Sequence, residues 1–194
     1  MYPIELSFTE AYLKEKLSAD RAEHSRSVAK IAGELATLHG VDPEKARIAG
    51  LCHDLCRDWG NQKLLNYIKE NNISVNEDIL EEPMLAHGIV ASEFLRRKLG
   101  IDDRDILDAI QSHTLGAPKM TKLQEIIFIA DFVGSTKGLP KSGQVLEQAK
   151  ESLGKATRMV YEMTYEYLKN KKIEINPEFA SNMKACKQVL STRK

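Results

Sequence analysis

The amino-acid sequence predicts an all-α protein built as a bundle of helices. Apolar residues recur with the three- and four-residue spacing of a helix face along nearly the whole chain. No segment alternates convincingly between apolar and polar residues, so we expect almost no β-sheet. A length of 194 residues suits one compact domain with a sizeable core. We expect a single domain over 1–194, with its core at about 20–140 and a helical extension at about 141–194.

Local signals predict where the helices start and which segments connect them. Two capping-box patterns and one Asp-Pro pair predict starts near residues 8, 21 and 43, in the segments Ser7–Glu10, Asp20–Glu23 and Asp42–Pro43. Periodicity predicts further helices at 61–71, 83–99, 103–114, 121–134, 142–170 and 177–190. Asn, Gly, Pro and Ser cluster in three predicted loops, at Glu70–Glu82, Leu115–Lys119 and Gly134–Ser142. The last two loops are candidates to border a substrate cleft.

Composition excludes several classes of partner. Twenty-eight basic and 28 acidic side chains cancel, so no global field would attract long DNA or RNA. The segment Met1–Glu10 does not resemble a signal peptide, and the longest apolar run, Ile126–Ala130, is far too short to span a membrane. Three cysteines without CxxC spacing suggest reduced thiols. We therefore expect a cytoplasmic protein that binds neither long nucleic acid nor a membrane.

Histidine and aspartate side chains lie on helix faces that are otherwise apolar. On the second predicted helix, His24 leads the stripe Val28, Ile31, Leu35 and Leu38. On the third, small residues allow neighbouring backbones to approach closely around His53 and Asp54; these are Ala46, Ala49 and Gly50. Later helices present His87, His113 and Asp131 in the same way. All six side chains should therefore point into the core.

Burial of these groups requires compensation. An unpaired buried charge costs several kcal/mol, and no Lys or Arg occupies the predicted inward positions. A single histidine on an apolar face is more often a hydrogen-bonded core residue, and that alternative holds for any one of the six alone. Together they are better explained by bound cations. Imidazole and carboxylate ligands favour iron, manganese, zinc or cobalt over calcium and magnesium, and suggest an open two-metal site.

Two other features have structural explanations. His39 precedes Gly40 at a predicted helix end, where an imidazole favours the helix dipole and glycine supplies a left-handed cap. Tyr161 and Tyr165 lie at helical spacing and either pack into their own core or form the face of a homodimer.

The order of the polar residues resembles a known signature. His24, then His53-Asp54, then Asp131 resembles the H...HD...D pattern of HD-domain phosphohydrolases, and His87 and His113 resemble the added histidines of two-metal members. The segments that resemble its YqeK-type branch, the symmetrical bis(5'-nucleosyl)-tetraphosphatases, are RAEHSRSVAKIAGELA, AGLCHDLCRD, LAHGIVAS, AIQSHTLG and IIFIADF. The resemblance runs from Arg21 to the INPEF segment.

The resemblance implies a metal centre and a substrate. It implies an HD-domain bundle with a di-iron centre that splits diadenosine tetraphosphate into two ADP molecules. One metal would be held by His24, His53 and Asp131, and the other by His87 and His113. Asp54 would bridge both as a catalytic residue, and a hydroxide bridging the metals would be the nucleophile. Specificity for this nucleotide rests on the resemblance alone.

Substrate contacts are expected around this centre. Arg57 stands where relatives often carry Lys, one turn from His53, and is expected to stabilise charge on the transferred phosphoryl group or to be an ordinary surface arginine. Thr114 and Lys119, with Gly116 between them, follow His113 in a loop that could meet the polyphosphate. Relatives usually continue after ADF with an acidic residue, proline and arginine, but this chain has Gly134–Gly138, in which Lys137 could replace the cationic contact.

Two alternatives remain at this stage. The same metal centre could serve an HD-type nucleotidase or pyrophosphohydrolase that acts on mononucleotides. The altered segment Gly134–Gly138 also leaves open a nucleotide-binding module without turnover.

Overall fold

The computed structural model describes residues 17–135 and 142–192, and these residues are helical, with no strand in either range. The predicted all-α class is therefore confirmed. The α-helices in chain order are α1 (Ala19–His39), α2 (Pro43–Cys52), α3 (Asn61–Glu70), α4 (Glu77–Glu81), α5 (His87–Phe94), α6 (Arg104–Ser112), α7 (Lys122–Gly134), α8 (Ser142–Glu151), α9 (Leu153–Lys171) and α10 (Pro177–Thr192). The helix predicted to start near residue 8 lies outside the described residues.

The start of α2 follows the capping prediction, whereas the start of α1 does not. Asp42 caps α2, and its Oδ1 accepts hydrogen bonds from the backbone N–H groups of Glu44 at 2.8 Å and Lys45 at 3.3 Å. The predicted capping box of Asp20 is wrong, because Ser18 is the N-cap of α1 and Asp20 already lies in its first turn. In the first turn its carboxylate still interacts favourably with the positive end of the helix dipole.

Three predicted boundaries differ from the structure. The predicted loop Glu70–Glu82 contains the short helix α4. The predicted helix 83–99 is divided into a 3₁₀ turn at Pro83–Ala86, α5, and a π-helical turn at Leu95–Leu99. The predicted helix 142–170 is broken at Ser152, which adopts an extended backbone and caps α9 by accepting from Lys155 N–H at 3.4 Å. A side-chain cap can replace a helical hydrogen bond without changing the apolar period.

Helices α1, α2 and α7 form the centre of the bundle, and α1 packs against both of the others. Gly50 of α2 faces the α1 backbone so closely that a β-carbon there would lie 2.7 Å from Ala29 Cα. The predicted close approach around the His-Asp pair is thus present. On the α1 stripe, Val28 and Leu35 are buried, but the inward prediction for Leu38 is wrong, because that side chain is 61% exposed at the last turn.

The C-terminal helices pack onto the same core. Helix α9 contacts α7, α8 and α10, and the fully buried Tyr161 of α9 packs its ring against Phe128 and Phe179. Tyr165 also packs partly buried against this cluster. Tyr161 therefore belongs to the protein's own core, and Tyr165 packs against that core with part of its side chain accessible.

His39 has the structural role expected of it. It ends α1, Gly40 follows in the left-handed conformation, and His39 Nε2 lies 2.7 Å from the carbonyl oxygen of Ala149. The imidazole thus joins the end of α1 to α8.

Candidate metal centre

The bundle brings together one histidine from α1, one from the end of α2 and one aspartate from α7. His24 Nε2 lies 3.2 Å from His53 Nε2 and 2.9 Å from Asp131 Oδ1. His53 Nε2 lies 3.4 Å from the same Asp131 oxygen. These three ligand atoms are close enough to one another to share one cation.

Asp54 lies between this group and a second pair of histidines. Its Oδ2 is 3.5 Å from His53 Nε2 and 3.7 Å from His24 Nε2. Its Oδ1 is 3.1 Å from His87 Nε2 and 3.7 Å from His113 Nε2, and these two nitrogens are 2.9 Å apart. One buried carboxylate therefore presents a different oxygen to each histidine pair.

Backbone carbonyls fix the orientation of the imidazoles. Three of the histidines have Nδ1 within 2.6–2.7 Å of the carbonyl oxygen three residues earlier, namely His53 on Gly50, His87 on Met84 and His113 on Ile110. A carbonyl only accepts, so each Nδ1 donates its proton to it, and in the neutral imidazole the Nε2 lone pair faces the centre. Such Nε2 atoms at about 3 Å from each other need a proton or a metal ion between them, and metal-ligating histidines commonly donate the other ring N–H to a backbone carbonyl. The arrangement therefore fits metal ions.

A glycine allows the second histidine pair to meet. A β-carbon at Gly88 would lie 2.8 Å from the Ile110 carbonyl oxygen and 2.9 Å from the His113 ring. Only the missing side chain lets the start of α5 approach the end of α6 this closely. Gly50 has the same role for His24 and His53, because it lets α2 approach α1 at Ala29. Each of the two histidine pairs therefore has a glycine beside it that permits the close approach of its helices.

The charges of the centre are strongly coupled. Burial opposes protonation of His53, but the charge of Asp54 and hydrogen bonds to Asp131 and Asp54 outweigh it and raise the pKa of His53 to about 10. Burial alone would raise the pKa of the Asp54 carboxyl, yet the surrounding histidines hold it well below its usual range. Burial lowers the pKa of His87. Without a metal ion the carboxylates thus hold a proton on His53, and a bound cation would take the place of that proton.

The centre opens into a cavity of about 560 Å³. Arg57 and Thr114 line this cavity, and the Thr114 hydroxyl lies 3.3 Å from His113 Nε2 and 3.4 Å from His87 Nε2. Lys119 is exposed and is not among the described residues that line it. Lys137 lies outside the described residues, as does most of Gly134–Gly138, while Ser135 lines the cavity. Residues 115–118 line a smaller cavity of about 200 Å³ next to Thr114.

One charged residue of this centre was not predicted from the sequence. Arg21, in the first turn of α1, places a guanidinium nitrogen 2.6 Å from Asp54 Oδ2. The statement that no Lys or Arg compensates the buried carboxylates is therefore wrong. The signal was available, because Arg21 precedes His24 by three residues and so shares its helix face.

The apolar lining of the cavity was also not predicted. It contains apolar side chains from α7, α9 and α10, together with the Thr164 hydroxyl; the apolar members are Phe128, Phe132, Val160 and Phe179. These residues follow the ordinary helical period, so nothing in the sequence separates them from core residues.

Comparison with known proteins identifies the family. The HD domain model matches residues 21–133, which is more than half of the chain. The chain belongs to the HD-domain family. It is therefore an HD-domain hydrolase, and its H...HD...D residues are those that the distances above bring together.

Relatives of this HD-domain chain share most of its length. A protein named symmetrical bis(5'-nucleosyl)-tetraphosphatase from Halalkalibacterium halodurans is 32% identical over 83% of this chain and 87% of its own. A protein of the same name from Bacillus subtilis is 31% identical over 87% of this chain and 90% of its own. The predicted resemblance to this branch is confirmed.

A solved structure shares the whole fold. A crystal structure of an HD superfamily hydrolase from Clostridium acetobutylicum superposes with a TM-score of 0.90 at 28% identity, over 96% of this chain and 98% of that one. The superposed length therefore includes the helices beyond the HD domain match. In the described part of the chain, no helix is both long and apolar enough to span a bilayer.

Proposed function

We propose that this HD-domain hydrolase splits dinucleoside tetraphosphates symmetrically, converting diadenosine tetraphosphate into two ADP molecules. One observation carries the proposal: Asp54 directs Oδ1 and Oδ2 to two separate histidine pairs. This is the arrangement of a bridging ligand in a two-metal site. The names of the relatives from Halalkalibacterium halodurans and Bacillus subtilis support the choice of substrate.

The six predicted ligands divide between two metal positions that share Asp54. His24, His53 and Asp131 would hold one ion, and His87 and His113 the other. Mixed imidazole and carboxylate ligands suit iron, with manganese, cobalt and zinc as alternatives. Two such ions would supply a bridging hydroxide as nucleophile and neutralise charge on the phosphates.

The remaining cavity residues orient the substrate. Arg57 and Thr114 line the cavity, where a guanidinium and a hydroxyl can bind phosphate oxygens. Phe132, Val160 and Phe179 also line it and supply apolar surface that suits a nucleoside. An elongated nucleotide could therefore place its phosphates at the metal centre and its base against these apolar side chains. The predicted phosphate contacts of Lys119 and Lys137 remain predictions.

Product analysis in oxygen-18 water tests both parts of the proposal. Purified protein loaded with iron or manganese should convert diadenosine tetraphosphate into ADP as the sole nucleotide product. Water oxygen forms the new bond to phosphorus while the central P–O–P bond breaks, so each turnover should give one labelled and one unlabelled ADP. The Asp54→Ala protein, prepared in parallel, controls for contaminating hydrolases.

Other outcomes identify which part fails. AMP with ATP would show attack away from the centre of the chain. Rapid release of inorganic phosphate or pyrophosphate from mononucleotides, with diadenosine tetraphosphate left intact, would favour the nucleotidase or pyrophosphohydrolase alternative. Two unlabelled ADP molecules per turnover would contradict direct attack by water. A cytoplasmic location, a homodimer and the division into core and extension remain predictions that these measurements do not address.

A further inference from the structure

Arg21 bridges two carboxylates at the mouth of the metal centre. Its guanidinium lies 2.6 Å from Asp54 Oδ2, and its Nε lies 3.8 Å from Asp58 Oδ1. Asp58 is held in turn by Ser18, whose backbone N–H and hydroxyl donate to Asp58 Oδ2 at 3.1 Å and 3.0 Å. A continuous polar chain therefore joins the N-terminus of α1 to the shared carboxylate.

The shared carboxylate needs such a support. The terminal torsion of an aspartate is broad, so the side chain alone does not fix which oxygen faces which histidine pair. A guanidinium is planar and rigid, and a charge-assisted hydrogen bond to one oxygen fixes the carboxylate plane. Asp54 is 4% exposed at its side chain and Arg21 is 30% exposed, so this contact is shielded from competing water on one side.

We propose that Arg21 is a positioning residue that holds the Asp54 carboxylate in the orientation that bridges the two histidine pairs. The inference rests on the proposed two-metal function and adds to it a residue that binds no metal. A carboxylate oxygen has two lone pairs, so Oδ2 can accept from Arg21 and still bind a cation. Hydrogen-bond partners of metal ligands commonly affect metal affinity by about 10 to 100-fold when removed.

The alternative role for Arg21 is direct phosphate binding, because it also lines the cavity. The two roles predict opposite results. A positioning residue changes metal binding in the absence of any nucleotide. A phosphate ligand changes nucleotide affinity and leaves the metals unaffected.

The experiment is a titration of the metal-free protein with Mn²⁺, in which calorimetry measures affinity and electron paramagnetic resonance detects a bridged pair of ions. It compares wild type with Arg21→Gln, Arg21→Lys and Arg26→Gln. Arg26 is the matched control, since it loses the same charge from the same helix but pairs with exposed Glu23. We expect Arg21→Gln to bind the weaker Mn²⁺ about 10 to 100-fold less tightly. We also expect it to lose the exchange-coupled spectrum of a bridged pair. Arg21→Lys should recover part of the affinity, and Arg26→Gln should match wild type.

ADP binding at saturating Mn²⁺ completes the test, and Arg21→Gln should bind ADP within about threefold of wild type. Unchanged Mn²⁺ affinity with weakened ADP binding would overturn the inference and assign Arg21 to phosphate. Far-UV circular dichroism checks the fold of each variant. If Arg21→Gln fails to fold, Arg21→Lys decides, because a wild-type Mn²⁺ affinity and coupled spectrum together with weakened ADP binding there would also overturn the inference. A wild-type protein that binds no Mn²⁺ would instead contradict the proposed metal centre itself.

Discussion

Gly50→Ala should destabilise the folded protein although alanine is the better helix former. The new methyl carbon would lie 2.7 Å from Ala29 Cα and 2.9 Å from Ala29 N. Both are backbone atoms in the middle of α1, so relief requires movement of a whole helix. Overpacking of this kind costs about 1 to 3 kcal/mol, and the higher helix propensity of alanine offsets up to about 1 kcal/mol of that cost. We expect a net loss of about 1 to 2 kcal/mol in the free energy of unfolding.

Urea unfolding of the metal-free protein, monitored by circular dichroism, measures this loss without linkage to metal binding. Gly143→Ala is the control, because that glycine lies in α8 with no atom within 4 Å of the added carbon. The control should be neutral or slightly stabilised. A Gly50→Ala protein as stable as Gly143→Ala would refute the steric argument. Because His53 Nδ1 binds the Gly50 carbonyl, Gly50→Ala should also weaken metal binding.

Four further substitutions test the metal centre and its cavity. Asp54→Ala should abolish hydrolysis and deplete bound metal, since it removes the carboxylate shared by both positions; full activity with unchanged metal content would contradict the assignment. His87→Ala or His113→Ala should lose one of the two ions while the helical fold persists, and elemental analysis that still finds two ions with normal turnover would exclude the two-metal proposal. Arg57→Ala should lower kcat by roughly 10 to 1000-fold with little change in metal content. A rate within twofold of wild type would make Arg57 a surface residue.

The helical class and most helices could be predicted because burial imposes the 3.6-residue period on the sequence. The breaks could not. Ser152 interrupts a continuous apolar period, since its hydroxyl caps a new helix without altering the pattern on either side. The start of α1 differs from the predicted start for a similar reason. Ser18 and Asp20 are both acceptable N-cap residues, and only tertiary contacts select Ser18. Its N–H and hydroxyl are used by Asp58, forty residues away in sequence.

The candidate metal centre was likewise predicted in part from the sequence. Histidines and aspartates on apolar faces are conspicuous because burial there is costly, so the group could be proposed from sequence and the structure brings its members within hydrogen-bonding distances. Arginine is common on helix surfaces, so the partner of Asp54 was not distinguished from its exposed neighbours. Lys119 is exposed and does not line the cavity, because proximity to the site along the chain does not fix where a loop side chain lies, and its predicted phosphate contact stays a prediction.

The hydrogen bonds from Nδ1 to backbone carbonyls have a consequence for the choice of leaving group. An imidazole that donates its one proton to a carbonyl and its lone pair to a metal has no proton left for a departing oxygen. Product release at this centre would therefore favour a group that is stable as an anion. A nucleoside diphosphate spreads its charge over several phosphate oxygens, whereas the alkoxide of a ribose does not. If the ions bind as proposed, an alkoxide leaving group would need its proton from another residue or from water, whereas a phosphoanhydride would not, and this difference does not depend on any contact with a base.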